Sequence, residues 1–157
     1  IIDPATPGEL AVKSRTAFRE YWGNPESTAK AFADGWFLTG DIAVIVEGAY
    51  RILGRASIDI IKSGGYKLAA LEIEATLLEH PDVSEVAVIG VPDEEWGEIV
   101  AAAVVLANSV SEDELVQWSR ERMSGYKVPR KWIFTDALPR NALGKVTKPS
   151  LTAWFEG

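Results

Sequence analysis

Two apolar runs, VSEVAVIGVP at 83–92 and IVAAAVVLA at 99–107, do most to limit what this chain can become. Valine-rich runs of this length favour pleated strands over helices. Before them, ALEIEATLLEHP at 70–81 places Leu71, Ala75 and Leu78 at i, i+4 and i+7, with Leu77 beside them. That spacing predicts an amphipathic helix, which Pro81 stops. After them, Ser111 and Glu114 form a capping box ahead of Leu115, Val116 and Trp118. The second helix is expected to run to Gly125 as its C-terminal glycine. KWIFTDALP at 131–139 reads as a further strand, and SIDIIKSGGYKL at 57–68 as a short apolar run, a Gly-Gly turn and another short strand. The sum is an α+β domain, one three-stranded sheet with helices packed on it.

The first 54 residues differ. IIDPATPGELAVKS reads as a turn entering a half-buried strand over 8–14, and Asn24-Pro25 is a turn signal ahead of one helical turn from Ser27 to Phe32. GWFLTGDIAVIVEGAYRILGR predicts strands at 42–46 and 50–53 around Glu47-Gly48. This part is expected to be the β-rich rim of a larger domain whose natural beginning lies before Ile1.

Composition excludes several chemistries. The 157 residues are 47% hydrophobic and 25% charged, a globular profile, with no apolar run of the ~20 residues a membrane span needs. Cysteine is absent, which removes disulfides, thiolate metal sites and cysteine nucleophiles. His80 is the only histidine, and its place before Pro81 reads as helix-end chemistry. No residue is assigned to a metal. The net charge of −7 argues against a general nucleic-acid binder. The charges are segregated, however. Nine acids and no Lys or Arg occupy 71–98, whereas Arg120, Arg122, Lys127, Arg130, Lys131, Arg140, Lys145 and Lys148 crowd 120–148. The basic block is compatible with a solvated face or with an anion site.

Four short polar clusters punctuate this background: Thr39-Gly40-Asp41, Gly54-Arg55, Lys62-Ser63-Gly64-Gly65-Tyr66-Lys67 and Gly144-Lys145. All are expected at strand ends or turns, where functional groups are commonly mounted. Singly, each has an ordinary reading: an Asx turn at Asp41, a surface pair at Arg55, a hairpin turn of the primed type at Gly64-Gly65, solvated lysines elsewhere. Lys145 is not a P-loop lysine, because Pro139 and Val146 stand where that motif requires Gly and Ser or Thr.

In order, GWFLTGD, GR, DIIKSGGYKLAALEIEATLLEHP, GVPDEEWGE, YKVPR and LPRNALGK resemble the C-terminal part of adenylate-forming enzymes, the superfamily of acyl- and aryl-CoA ligases, luciferases and peptide-synthetase adenylation domains. The resemblance covers essentially the whole chain. It implies a fragment of an ATP-dependent acyl-CoA ligase, with residues 1–54 as the end of the large domain and 55–157 as a mobile lid. It implies ATP, CoA and a small carboxylic acid as ligands, the rest of the N-terminal domain as partner, and Mg2+ bound mainly by that missing part. By position, Lys145 matches the lysine of the adenylation step. Lys62 and Lys67 match positions brought in for thioester formation, and Ser63, Gly64 and Gly65 the turn along which CoA lies. Asp41 and Arg55 match residues near ribose and phosphate. The family's lid rotates about a hinge after Gly-Arg, presenting the two turns alternately, and the lysine matching Lys145 is often controlled by acylation.

Three residues, Ala56, Ser57 and Ile58, separate Arg55 from Asp59, where most members have two. The hinge therefore falls on Ser57 counted from Arg55, or on Ile58 counted back from the glycines. With this spacing the chain looks most like malonyl-CoA synthetases. A fatty-acid or aryl-acid CoA ligase and a peptide-synthetase adenylation domain are the rivals within the superfamily. A free-standing nucleotide-binding or interaction module is the rival outside it. The fragment alone is expected to be inactive, and its compartment to be cytoplasmic or mitochondrial.

Overall fold

The computed structural model describes residues 6–156, so the turn read into the first five residues lies outside the described part. The chain divides into two compact units, the first ending at Ser57 and the second beginning at Ile58.

The first unit is an antiparallel sheet centred on one long strand. That strand, β3 (Trp36–Val46), pairs with β1 (Gly8–Val12), with the short β2 (Phe32–Ala33) and with β4 (Ala49–Arg55). Between β1 and β2 lies α1 (Pro25–Ala31), capped by the Asn24 side chain, which accepts from the Ser27 amide. Strand β3 begins six residues before the expected 42, so Thr39-Gly40-Asp41 sits inside a strand rather than at its end. Gly40 makes this possible: at φ +76 it takes a left-handed conformation at an irregular stretch of pairing.

In the second unit, β5 (Ile60–Ser63) and β6 (Tyr66–Ala69) form a hairpin that leads into α2 (Ala70–Leu78). Then come β7 (Val83–Asp93), β8 (Gly97–Leu106), α3 (Glu112–Arg122) and β9 (Lys131–Phe134). The three expected strands share one sheet: β7 runs antiparallel to β8 along its length, and β9 parallel to it. The sheet has five strands, not three, because Ser63 pairs with Gly97 and joins the β5–β6 hairpin to it. Strand β9 stops at Phe134, short of the expected 139.

Strand β8 shows why this sheet is covered on both faces. Val100, Ala102 and Val104 point into a core shared with Ile61, Leu68, Ile73, Leu77 and Leu115, from the hairpin and both helices. Ile99, Ala101 and Ala103 point the other way, to Leu138, Leu151 and Phe155 of the C-terminal segment. The six consecutive residues Ile99–Val104 are thereby all buried, as period-two geometry requires of a strand covered on both faces.

The helix at 70 is real, but its buried face is Ala70, Ile73 and Leu77. Leu71 and Leu78, expected inside, are 42% and 48% exposed. Two apolar stripes share this helix, and the one continuous with the hairpin core is the one that packs. The capping box at α3 forms, and the Ser111 amide and hydroxyl hold the Glu114 carboxyl below its usual pKa. Gly125 does not end this helix; the chain leaves it at Met123 in an extended conformation, and Gly125 opens a short 3-10 turn. His80 has the expected helix-end role: its Nδ1 accepts from the Asp82 amide and its ring packs edge-on against Trp118.

The phasing of α2 is testable by urea denaturation. Ile73→Ala should cost about 2–5 kcal/mol, as core truncations do. Leu71→Ala should cost less than about 1 kcal/mol, as expected for a half-exposed side chain.

Candidate functional site

The Gly-Gly turn is built by backbone geometry. Gly64 and Gly65 both have positive φ, +56 and +82, the pattern of a type I′ two-residue hairpin. Residue 64 must also lack a side chain, since a Cβ there would lie 2.7 Å and 2.9 Å from ring carbons of Trp96. The Gly64 amide donates to the Trp96 carbonyl at 2.9 Å. Trp96 is held in turn by Asp93, whose Oδ1 accepts from the Glu95 and Trp96 amides, and by the Arg130 guanidinium 4.2 Å over its ring. The hairpin tip is thus clamped to the connection between β7 and β8.

This clamp presents charge. Lys62 and Lys67 are direct cross-strand partners, both exposed and on one face. Like charges opposed in this way repel, so the pair is suited to an anion between or above them. Ser63 is only 8% exposed, so Gly64 and Gly65 form the accessible surface of the turn. The exposed rings of Tyr66 and Tyr126 stack beside it, 4.7 Å apart and 7° from parallel.

Lys145 sits on a second turn, which closes on itself. Arg140 bridges to Val146, and the Thr147 amide donates to the Pro139 carbonyl at 2.8 Å. Inside, Asn141 Oδ1 accepts from the amides of Leu143 and Lys145, both at 3.0 Å. Arg140 donates to the Gly144 carbonyl at 2.8 Å and pairs with Glu85 on β7. Lys145 itself is exposed and, among the described residues, has no carboxylate within ion-pair distance.

The two turns are anchored to opposite ends of one strand, the Lys145 turn at Glu85 and the Gly-Gly turn beyond Asp93. Eight residues at ~3.3 Å each separate those anchors by about 25 Å.

In the first unit, Arg55 brings the other two clusters into contact. Its Nη1 reaches Asp41 Oδ1 at 3.1 Å and also donates to the Thr39 carbonyl. A carboxylate held by a guanidinium keeps its second oxygen for a hydroxyl donor. The Ala56 amide donates to the Gly40 carbonyl, whereas Asp59 is buried in the second unit, where Lys148 reaches it at 2.5 Å. Ser57 and Ile58, the two hinge candidates, lie between these anchors. Sequence reading gave no individual role to Asn141, Arg140, Trp96 or Lys148. Asn141, a turn-forming residue three positions before Gly144, was the one with a local signal. Among the described residues no group of three or more His, Asp or Glu is placed to hold a metal ion, and no helix is long and apolar enough to cross a membrane.

Residues 72–145 match the AMP-binding enzyme C-terminal domain, and the match ends on Lys145. The match covers 74 of the 157 residues. Around that domain the likeness extends over nearly the whole chain. The chain is 50% identical over 151 residues to the human mitochondrial malonate–CoA ligase ACSF3, covering 94% of this chain and 26% of that protein. It is 48% identical over 145 residues to the long-chain-fatty-acid–CoA ligase FadD13 of Mycobacterium tuberculosis, covering 92% of this chain and 29% of that protein. The ATP-bound structure of MatB from Rhodopseudomonas palustris superposes with a TM-score of 0.89 at 37% identity, over 98% of this chain and 31% of MatB. The chain therefore spans about a quarter of the length of the curated relatives it matches. The domain match includes Trp96 and Asn141 but not Lys62 or the Gly-Gly turn.

Gly64→Ala tests the clamp on that turn. It combines a disfavoured positive φ, worth about 1 kcal/mol or more, with a clash against Trp96. Thermal unfolding should show a loss, and Gly65→Ala, with open space around its Cβ, a smaller one.

Proposed function

We propose that this chain is the C-terminal part of an ATP-dependent acyl-CoA ligase. A carboxylate oxygen attacks the α-phosphorus of ATP, giving an acyl-adenylate and releasing pyrophosphate. The thiolate of CoA then attacks the acyl carbon and AMP leaves. Phosphoryl transfer of this kind needs positioned positive charge more than covalent chemistry.

Residues 1–54 then belong to the large domain and 55–157 form its lid, with the rest of the N-terminal domain as partner. Lys145 supplies a point charge to the phosphate oxygens during adenylation. Asp41 accepts from ribose hydroxyls, and Arg55 orients it from beside the phosphate. Lys62 and Lys67 offer a paired anion site during the CoA step, with Gly64, Gly65 and the backbone at Ser63 as the surface along which the pantetheine arm lies. Mg2+ would be held by the remainder of the protein.

The observation that carries this reading is that the two turns are anchored toward opposite ends of β7, at Glu85 and beyond Asp93, positions that strand geometry separates by about 25 Å. Two cationic turns on one rigid strand serve a single nucleotide only by exchange, which a pivot at Ser57 or Ile58 permits.

Malonate is the acid we favour, because relatives at 50% and 45% identity carry the name malonate–CoA ligase. A long-chain fatty acid is the second reading, favoured by the likeness to FadD13. The mitochondrial description of the first relative favours that compartment of the two expected. Pyrophosphate exchange by the full-length protein should be driven by malonate and not by palmitate; the reverse result selects the second reading.

The roles separate by half-reaction. Lys145→Ala in the full-length protein should slow adenylation by about 100-fold or more, the scale of losing one charge-stabilising donor. It should leave CoA transfer from supplied acyl-adenylate within a few-fold of the parent. Lys62→Ala/Lys67→Ala should show the opposite pattern. Equal losses in both steps for either variant would remove the assignment.

A further inference from the structure

Lys148 belongs to the basic block read as a solvated face or an anion site, yet its side chain is 12% exposed and sits between two carboxylates. Its Nζ lies 2.5 Å from Asp59 Oδ1 and 2.8 Å from Glu74 Oε1, and those side chains are 12% and 13% exposed. Burial raises the Glu74 pKa, and Lys148 opposes that rise. One cation buried with two carboxylates is an expensive way to fill a core, and apolar packing commonly does as well or better. Its distinguishing property is what it connects.

Asp59 opens the second unit directly after Ser57 and Ile58, and its carbonyl accepts from the Ala70 amide that starts α2. Glu74 lies on α2, and its Oε1 also accepts from the Val88 amide of β7 at 2.7 Å. Lys148 is three residues past Lys145 and begins the 3-10 segment Lys148–Trp154. The Lys145 turn is therefore tied at both stems. Arg140 holds its entry to Glu85, and Lys148 holds its exit to the pivot-proximal Asp59 and to α2.

We propose that Lys148 is a positioning residue for the adenylation step: its two ion pairs fix the exit of the Lys145 turn to the segment beside the pivot, so that rotation delivers Lys145 in register. The proposal rests on the function proposed above. The tip of the Gly-Gly turn has its own clamp at Trp96, far along the hairpin from the Asp59 stem, so loss of Lys148 should bias one half-reaction.

The test uses the full-length protein with malonate, ATP and CoA, and compares Lys148→Met, Lys148→Arg and Lys145→Ala. Lys148→Met should lower the kcat of adenylation by about 10- to 100-fold, the scale of a displacement near 1 Å at a reacting centre. The KM for ATP and the rate of CoA transfer from supplied malonyl-adenylate should stay within about threefold of the parent. Lys148→Arg, which keeps the charge, should recover most of the adenylation rate. Wild-type adenylation in Lys148→Met, or proportionate loss of both half-reactions, overturns the proposal. If Lys148→Met does not fold, Asp59→Asn/Lys148→Met is judged by the same criteria, since it removes one buried carboxylate with the cation. Lys145→Ala separates the two ideas: if it too leaves adenylation intact, the proposed function fails. If it abolishes adenylation while Lys148→Met does not, only the positioning role fails.

Discussion

The antiparallel ladder between β7 and β8 is the constraint on which the second unit depends. Its inner strand β8 also pairs with β5 and β9, while β7, among the described residues, pairs with β8 alone, and the small residues of β8 let apolar layers close on both faces. The ladder also acts as a spacer. At one end its connection carries Trp96, which receives the Gly-Gly turn. Toward the other, Glu85 receives Arg140 and with it the Lys145 turn. A strand interlocked on both faces does not shorten, so the separation of the turns is as rigid as the core itself.

Both turns put backbone and neighbouring side chains to structural use and keep lysine ammonium groups at the surface. Asn141 closes its turn from within, and Trp96 and Asp93 close theirs from a neighbouring connection. Lys62, Lys67 and Lys145 are then held at their backbones with exposed side chains. Lys148 follows the opposite rule, being buried and fully engaged. Lysines three positions apart, Lys145 and Lys148, thus stand in opposite environments, one exposed and one buried in ion pairs.

Local chemistry was the legible part of the sequence. The primed turn at Gly64-Gly65 and the capping box at Ser111 and Glu114 depend on neighbouring residues, and both formed as read. So did strands β7 and β8, read from their valine-rich runs. Features that depend on distant partners were not legible. Leu71, Ala75 and Leu78 satisfy helical spacing as well as Ala70, Ile73 and Leu77 do, and only the hairpin core decides between them. The joining of Ser63 to Gly97 needs the β7–β8 connection in place. Lys148 and Asp59 are 89 positions apart, so nothing local to either announces the pair. For the candidate site, motif order pointed to the lysines and glycines, whereas the residues that hold them emerged from packing.

The central claim is that one rigid spacer forces the two cationic turns to serve a nucleotide by exchange. Spin labels at the exposed positions Tyr50, in the first unit, and Leu143, on the Lys145 turn, report this directly in the full-length protein by pulsed dipolar distance measurement. The account predicts that the interlabel distance shifts by on the order of 10 Å or more between ATP with malonate and malonyl-adenylate with CoA, as expected of a domain rotation. A single unchanged distance under both conditions, in a protein that completes both half-reactions, would contradict it.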